Sequence, residues 1–88
     1  MNEYAKKYTK EYIERDTKRL LYYVEKMLDR VKTGETPVLY TGEIIKYTAS
    51  LQTYYSRADD LEMWESLDFR EIYQKALEEA KKELKLDD

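Results

Sequence analysis

Gly34, Pro37 and Gly42 are the chain's only two glycines and its only proline, and all three fall within nine residues. With one breaker region in the chain, long helices on either side are what this sequence most readily builds. Before it, residues 3–32 read as one helix. Ile13, Leu20, Val24, Met27 and Val31 follow a three-four spacing along one side, and Leu21 and Leu28 widen the stripe. Glu3 with Lys7 and Glu14 with Lys18 stand at i,i+4, where opposite charges support a helix.

After the breaker, Thr36-Pro37 suits a short turn, since a first helical position does not need the N–H that proline lacks. Thr41 is the expected N-cap of a second helix over about 42–62. Its apolar face is Ile44, Tyr47, Leu51, Tyr54, Tyr55, Ala58 and Leu61, and a narrower row, Ile45, Ala49 and Ser56, predicts a second helical neighbour. Asp68 and Glu71 have capping-box spacing, with Leu67 and Ile72 placed as a hydrophobic staple. A third helix over about 69–85 follows, with Phe69, Ile72, Tyr73, Ala76, Leu77, Ala80 and Leu84 on its apolar side. Lys81, Lys82 and Lys85 suit the negative end of its dipole, and Leu86-Asp87-Asp88 is expected to fray. The expected fold is all-α, a small three-helix bundle with a long N-terminal helix, one helical domain over residues 1–88.

The 88 residues bury only about 60–65% of the surface of the unfolded chain, so the core must be thin. The longest apolar run, Leu20-Leu21-Tyr22-Tyr23-Val24, falls far short of the roughly 20 residues of a membrane span. The opening Met-Asn-Glu-Tyr-Ala-Lys-Lys lacks an apolar h-region and a small-residue cleavage site, so no secretory signal is expected. The chain has no cysteine and no histidine. Disulfides, thiolate chemistry, serine-type triads and HExxH zinc sites are thereby excluded. Asp59, Asp60, Glu62 and Glu65 could offer carboxylates to Mg²⁺ or Ca²⁺, but no DxDxDG loop accompanies them, and no phosphate-cradling glycine motif occurs. No metal and no cofactor are expected. The net charge of −3 conceals an asymmetry: residues 1–32 carry nine Lys/Arg against six Asp/Glu, and residues 33–88 carry seven against thirteen.

Two surfaces stand out. At 100° per residue, Tyr4, Tyr8, Tyr12, Tyr22 and Tyr23 cluster with Arg15, Arg19, Lys26 and Arg30 in one sector of the first helix, away from its apolar stripe. Aromatic and cationic groups interleave in this way where proteins grip other proteins or stack nucleic-acid bases. Over residues 3–12 the stripe is interrupted by Lys6, Thr9 and Lys10, so the first turns are expected to project past the bundle and to use the tyrosine row in association. The second surface is Met63-Trp64, within the acidic stretch DDLEMWESLDF. Either Trp64 folds back to cap the core at a helix corner, or the pair is an exposed hook for a partner.

These features favour a small non-enzymatic protein-binding module that occupies a surface of a larger partner, of the kind found among phage and mobile-element inhibitors and regulators. The candidate contact residues are Tyr4, Tyr8, Tyr12, Arg15, Arg19, Tyr22, Lys26, Met63 and Trp64. Homodimerisation and a cytoplasmic setting, the host's if phage-encoded, belong to the same reading. Two alternatives stand beside it: a nucleic-acid-binding regulator using the Tyr/Arg face, against which the overall pI near 5.1 argues, and a structural subunit of a homo-oligomer.

Overall fold

A computed structural model describes residues 2–35 and 40–87. Ninety per cent of it is helical, and no strand occurs among the described residues. Helix α1 runs Asn2–Lys32, α2 Thr41–Asp60 and α3 Phe69–Asp87, with a 3₁₀ turn at Trp64–Ser66. The 31 residues of α1, at ~1.5 Å each, make a rod of ~46 Å. The whole molecule measures 49 × 22 × 17 Å, so α1 is its long axis. The radius of gyration of 14.6 Å exceeds the ~12 Å of a compact chain of this length. The expected three-helix all-α bundle is present, in an elongated form.

Both interhelical bends use the same backbone device. At the end of α1, Gly34 takes φ +81°, its N–H donates to Val31 O, and the Glu35 N–H reaches back to Arg30 O at 2.9 Å. This is a Schellman close, the position where glycine alone is unstrained. At the end of α2 the pattern recurs, Glu62 N–H to Asp59 O and Met63 N–H to Ala58 O, but the left-handed residue is Glu62, at φ +52°. The turn aims Met63 back at Ala58, and both are buried. At α1 the equivalent pair, Arg30 and Glu35, is an ion pair at 2.9 Å.

Helix α2 runs antiparallel to α1, bringing Ser50 to Asp16 and Tyr54 to Tyr12. Helix α3 runs parallel to it, with Lys18 bonded to Glu83 at 2.9 Å. On α1 the residues meeting α2 and those meeting α3 lie roughly 150–180° apart at 100° per residue. The two shorter helices therefore flank α1 and pack along it rather than along each other. They meet through the Tyr55 and Phe69 rings, 5.9 Å apart near the corner. The wedge between them is filled by Ile13, Leu51, Ala58, Met63, Leu67 and Ile72, with Leu20, Tyr54, Tyr55 and Leu61 packed around these. Toward the other end the apolar stripe of α1 runs out of cover: Val24 and Met27 are half-buried, and Leu28 and Val31 are about half exposed.

Several expectations change. Tyr40, not Thr41, is the N-cap residue of α2; it makes no side-chain capping bond and is anchored instead by its ring against Tyr23 at 6.2 Å. The Thr36-Pro37 turn lies outside the described residues. Ile45, Ala49 and Ser56 are exposed, because α3 takes the opposite flank of α1 and leaves α2 one main neighbour. The first turns of α1 do not project. Thr9 and Asp16 are fully buried, and Thr9 enters the core without an orphaned hydroxyl because its Oγ1 donates to Ala5 O at 2.7 Å. Asp68 caps α3, accepting from the Glu71 N–H at 3.1 Å, and both staple residues, Leu67 and Ile72, are buried. Helix α3 continues through Leu86 and Asp87 rather than fraying.

Candidate interaction face

The tyrosine row of α1 is the start of a ladder that crosses to α2. Tyr4 lies 6.4 Å from Tyr8, Tyr8 4.3 Å from Tyr12, and Tyr12 4.9 Å from Tyr54, the last pair nearly parallel. Tyr8 and Tyr12 are half-buried by this stacking, whereas Tyr4, at the open end, is 77% exposed. A hydrogen bond with Tyr12, reinforced by desolvation, pushes the Tyr8 hydroxyl up to about 12. Further along, Tyr23 stacks on Tyr47 at 6.0 Å and meets Tyr22 edge-on at 5.1 Å.

Cations lie over these rings. Arg15 sits 4.1 Å from the Tyr12 centroid, Lys26 5.4 Å from that of Tyr22 and 5.6 Å from that of Tyr40. Helix α2 supplies Lys46 over Tyr47 at 5.4 Å and Arg57 over Tyr54 at 5.6 Å. Sequence reasoning missed Lys46 and Arg57 as members of this face. A signal existed, since Lys46, Ser50, Thr53 and Arg57 recur at helical spacing beside the apolar face of α2.

One carboxylate holds the seam together. Asp16 is fully buried; its Oδ1 accepts from Arg15 Nε at 3.1 Å and Nη2 at 2.9 Å, and its Oδ2 accepts from Ser50 Oγ. The charge is matched and hydrogen-bonded, the condition under which an ion is tolerated in an interior. Arg30 is also engaged: hydrogen bonds with Tyr40 and with Glu35 hold its guanidinium above its ordinary value. Arg19 and Arg57 are exposed, and neither makes an ion pair among the described residues.

The other flank of α1 has different chemistry. At 100° per residue Lys7, Lys10, Lys18 and Lys32 lie there with Glu3, Glu14 and Glu25, and the grooves along α3 are lined by Lys10, Glu14, Arg15, Glu71, Lys75 and Glu79. On the central helix the tyrosines and arginines thus gather toward α2, joined there by Lys26 and with Arg15 reaching a groove on the α3 side as well, whereas most of its lysines and glutamates lie toward α3.

The Met63-Trp64 pair is split by the turn. Met63 is 3% exposed, a core residue, and is withdrawn from the contact residues: the left-handed Glu62 ends α2 early and swings Met63 inward. Trp64 remains 39% exposed, packed against Tyr55 at 6.0 Å and Phe69 at 5.7 Å, with its Nε1–H donating to Asp59 Oδ1 at 2.8 Å. It folds back at the corner and still shows a face. The acidic stretch around it also faces cations, as Glu62 and Glu65 share a concavity with Lys6, Lys7 and Lys10. Asp59, Asp60, Glu62 and Glu65 do not form a ligand cluster; no group of three carboxylates that could hold a metal ion occurs among the described residues. No described helix is long and apolar enough to cross a membrane.

Comparison with protein-family models, curated proteins and solved structures finds no match to this chain.

Proposed function

We propose that this protein is a non-enzymatic module that acts by binding another protein through the Tyr/Arg face formed by α1 and α2. The observation that carries the reading is the division of residue types between the two flanks of α1. Protein-binding surfaces are enriched in Tyr and Arg and depleted in Lys and Glu, because large rings and planar guanidinium groups give contact area at low entropic cost. The α2 flank is rich in Tyr and Arg, with Lys26 and Lys46 laid over its rings, and the α3 flank has the composition of an ordinary solvated helix seam.

The amount of exposed surface points the same way. A 10.7 kDa monomer is expected to expose about 5,500 Å², whereas this chain exposes 6485 Å². The excess, about 1,000 Å², compares with the ~800 Å² that one partner contributes to an interface of standard size. Self-association would draw on the same surplus.

Reversing charges on each flank tests the proposal. Capture of interactors by the triple variant Arg19→Glu/Lys26→Glu/Lys46→Glu is compared with capture by Lys75→Glu/Lys81→Glu/Lys82→Glu on α3. Loss of a specific interactor with the first and retention with the second is the expected result; equal loss with both refutes a role for the α2 flank. Because Arg19, Lys46 and Arg57 form a track of cations, single-stranded nucleic acid is the second reading. Retention of oligonucleotide at low salt that vanishes in the first variant favours it.

A further inference from the structure

At the open end of the tyrosine ladder, Tyr4, Ala5, Tyr8 and Arg57 line a concavity of about 420 Å³. Each wall has a definite chemistry. Tyr4 lies almost parallel to Tyr8, at 22°, and offers an open ring face. Ala5 leaves room at the base. Arg57 reaches over from α2, in contact with Tyr54 at 5.6 Å and with no carboxylate among the described residues paired to it. Arg15 is engaged by Asp16 and Arg30 by Glu35, and Arg19 does not line the concavity, so Arg57 is the guanidinium at this notch that lacks an anion among the described residues.

Resting on the binding-module reading above, we propose that this notch anchors an acidic segment of the partner protein that carries an aromatic residue: the partner's ring lies against Tyr4 and Tyr8, and a neighbouring carboxylate pairs with Arg57. The charge pattern selects the occupant. Arg19 and Lys46 continue the positive track along the same face, in a chain whose net charge is −3. A cationic segment would be repelled, and an uncharged one would leave Arg57 unmatched. A guanidinium beside an aromatic ring favours a carboxylate next to a ring, because each group satisfies one wall of the site. A run of nucleic-acid bases fits less well. The inner rings stack on one another, so Tyr4 is the one ring of the ladder presenting an open face, whereas single-strand binders present several. A second copy of this chain fits less well too. Its own acidic-aromatic stretch has Trp64 bonded to Asp59 and clustered with Tyr55 and Phe69, so inserting that ring into the notch would give up these contacts.

The test uses the intact protein and a fluorescein-labelled ten-residue peptide of Asp and Glu with one central Phe. Anisotropy is read at about 50 mM salt, where exposed charges still act over the distances of a binding face, alongside amide shift mapping. Saturable binding is expected, with shifts gathered on Ala5, Tyr8 and Arg57. Tyr4→Ala and Arg57→Glu should each weaken it about tenfold, as truncation of an anchor does, and a peptide with Ala for Phe should bind about as weakly. Both substituted residues are exposed, and unchanged melting curves confirm that the fold is intact. Arg70→Glu, an exposed arginine on α3, should bind like the parent. The inference is overturned by absence of binding, by insensitivity to Arg57→Glu, by tighter binding of oligothymidylate than of the peptide at the same salt, or by dimerisation that maps to the notch. If charge reversal at Arg19, Lys26 and Lys46 abolishes partner capture while the peptide misses the notch, this inference falls and the proposed function stands.

Discussion

Ser50→Ala removes one hydroxyl and tests what holds α1 to α2. In the folded chain Asp16 is completely enclosed, and Ser50 Oγ is the donor to its Oδ2. Arg15 satisfies Oδ1 and, with a side chain 47% exposed, is partly in water already. After the substitution Oδ2 is a buried anionic oxygen without that donor, and a hydrogen bond to a charged group contributes about 1.5–3 kcal/mol. For a chain of this size 1 kcal/mol corresponds to about 4–8 °C, so a loss near 2 kcal/mol lowers Tm by roughly 8–16 °C. Asp16→Ala removes the ion together with its need for donors, so Asp16→Ala/Ser50→Ala should cost little more than Asp16→Ala alone. The expected coupling is about 2 kcal/mol of non-additivity, as for groups sharing one network. Thermal melts by circular dichroism at one protein concentration give all four corners of the cycle. A Ser50→Ala melt within about 1 °C of the parent, or a double variant whose loss equals the sum of the singles, refutes the claim that this contact locks the seam.

Three further outcomes are expected. Glu62→Gly relieves about 1–2 kcal/mol of left-handed strain against about 0.5–1 kcal/mol of added chain entropy, so Tm should rise by a few degrees, and a fall would mean that the Glu62 side chain contributes more than its backbone costs. Met63→Ala should destabilise by about 2–5 kcal/mol, as emptying a core site does, while Trp64→Ala loses ring contacts of about 1 kcal/mol; urea titration gives the order, and equal losses contradict the splitting of the pair. Tyr8 should titrate near pH 12 rather than 10, so absorbance at 295 nm should show one late phenol that disappears in Tyr8→Phe. Because the raised value favours the neutral ring in the folded state, the stability it contributes is complete below pH 10 and is lost as pH rises toward 12.

Much of the fold is legible in the residues. Periodic apolar positions and the spacing of Leu67, Asp68, Glu71 and Ile72 place the helices within one or two residues at most ends, because capping and burial periodicity are local properties of the chain. Where the Tyr/Arg sector points was legible as well. What covers it was not: that Tyr54 completes the ladder, and that Lys46 and Arg57 join the face, depends on which flank of α1 receives α2, and no local rule sets that choice. The core position of Asp16 was equally hidden, since a carboxylate belongs inside only when a donor such as Ser50, 34 residues away, arrives to meet it.

The sequence by itself determined the three helices and their amphipathic faces, since a helical period and a single breaker region act over a few residues. Tertiary structure alone decided that α2 and α3 settle on opposite flanks of α1, separating a tyrosine-arginine side from a lysine-glutamate side. It also decided that one left-handed residue, Glu62, turns Met63 into the core and leaves Trp64 at the surface. Both outcomes rest on long-range packing, which weighs the burial of a whole face against the strain of one turn.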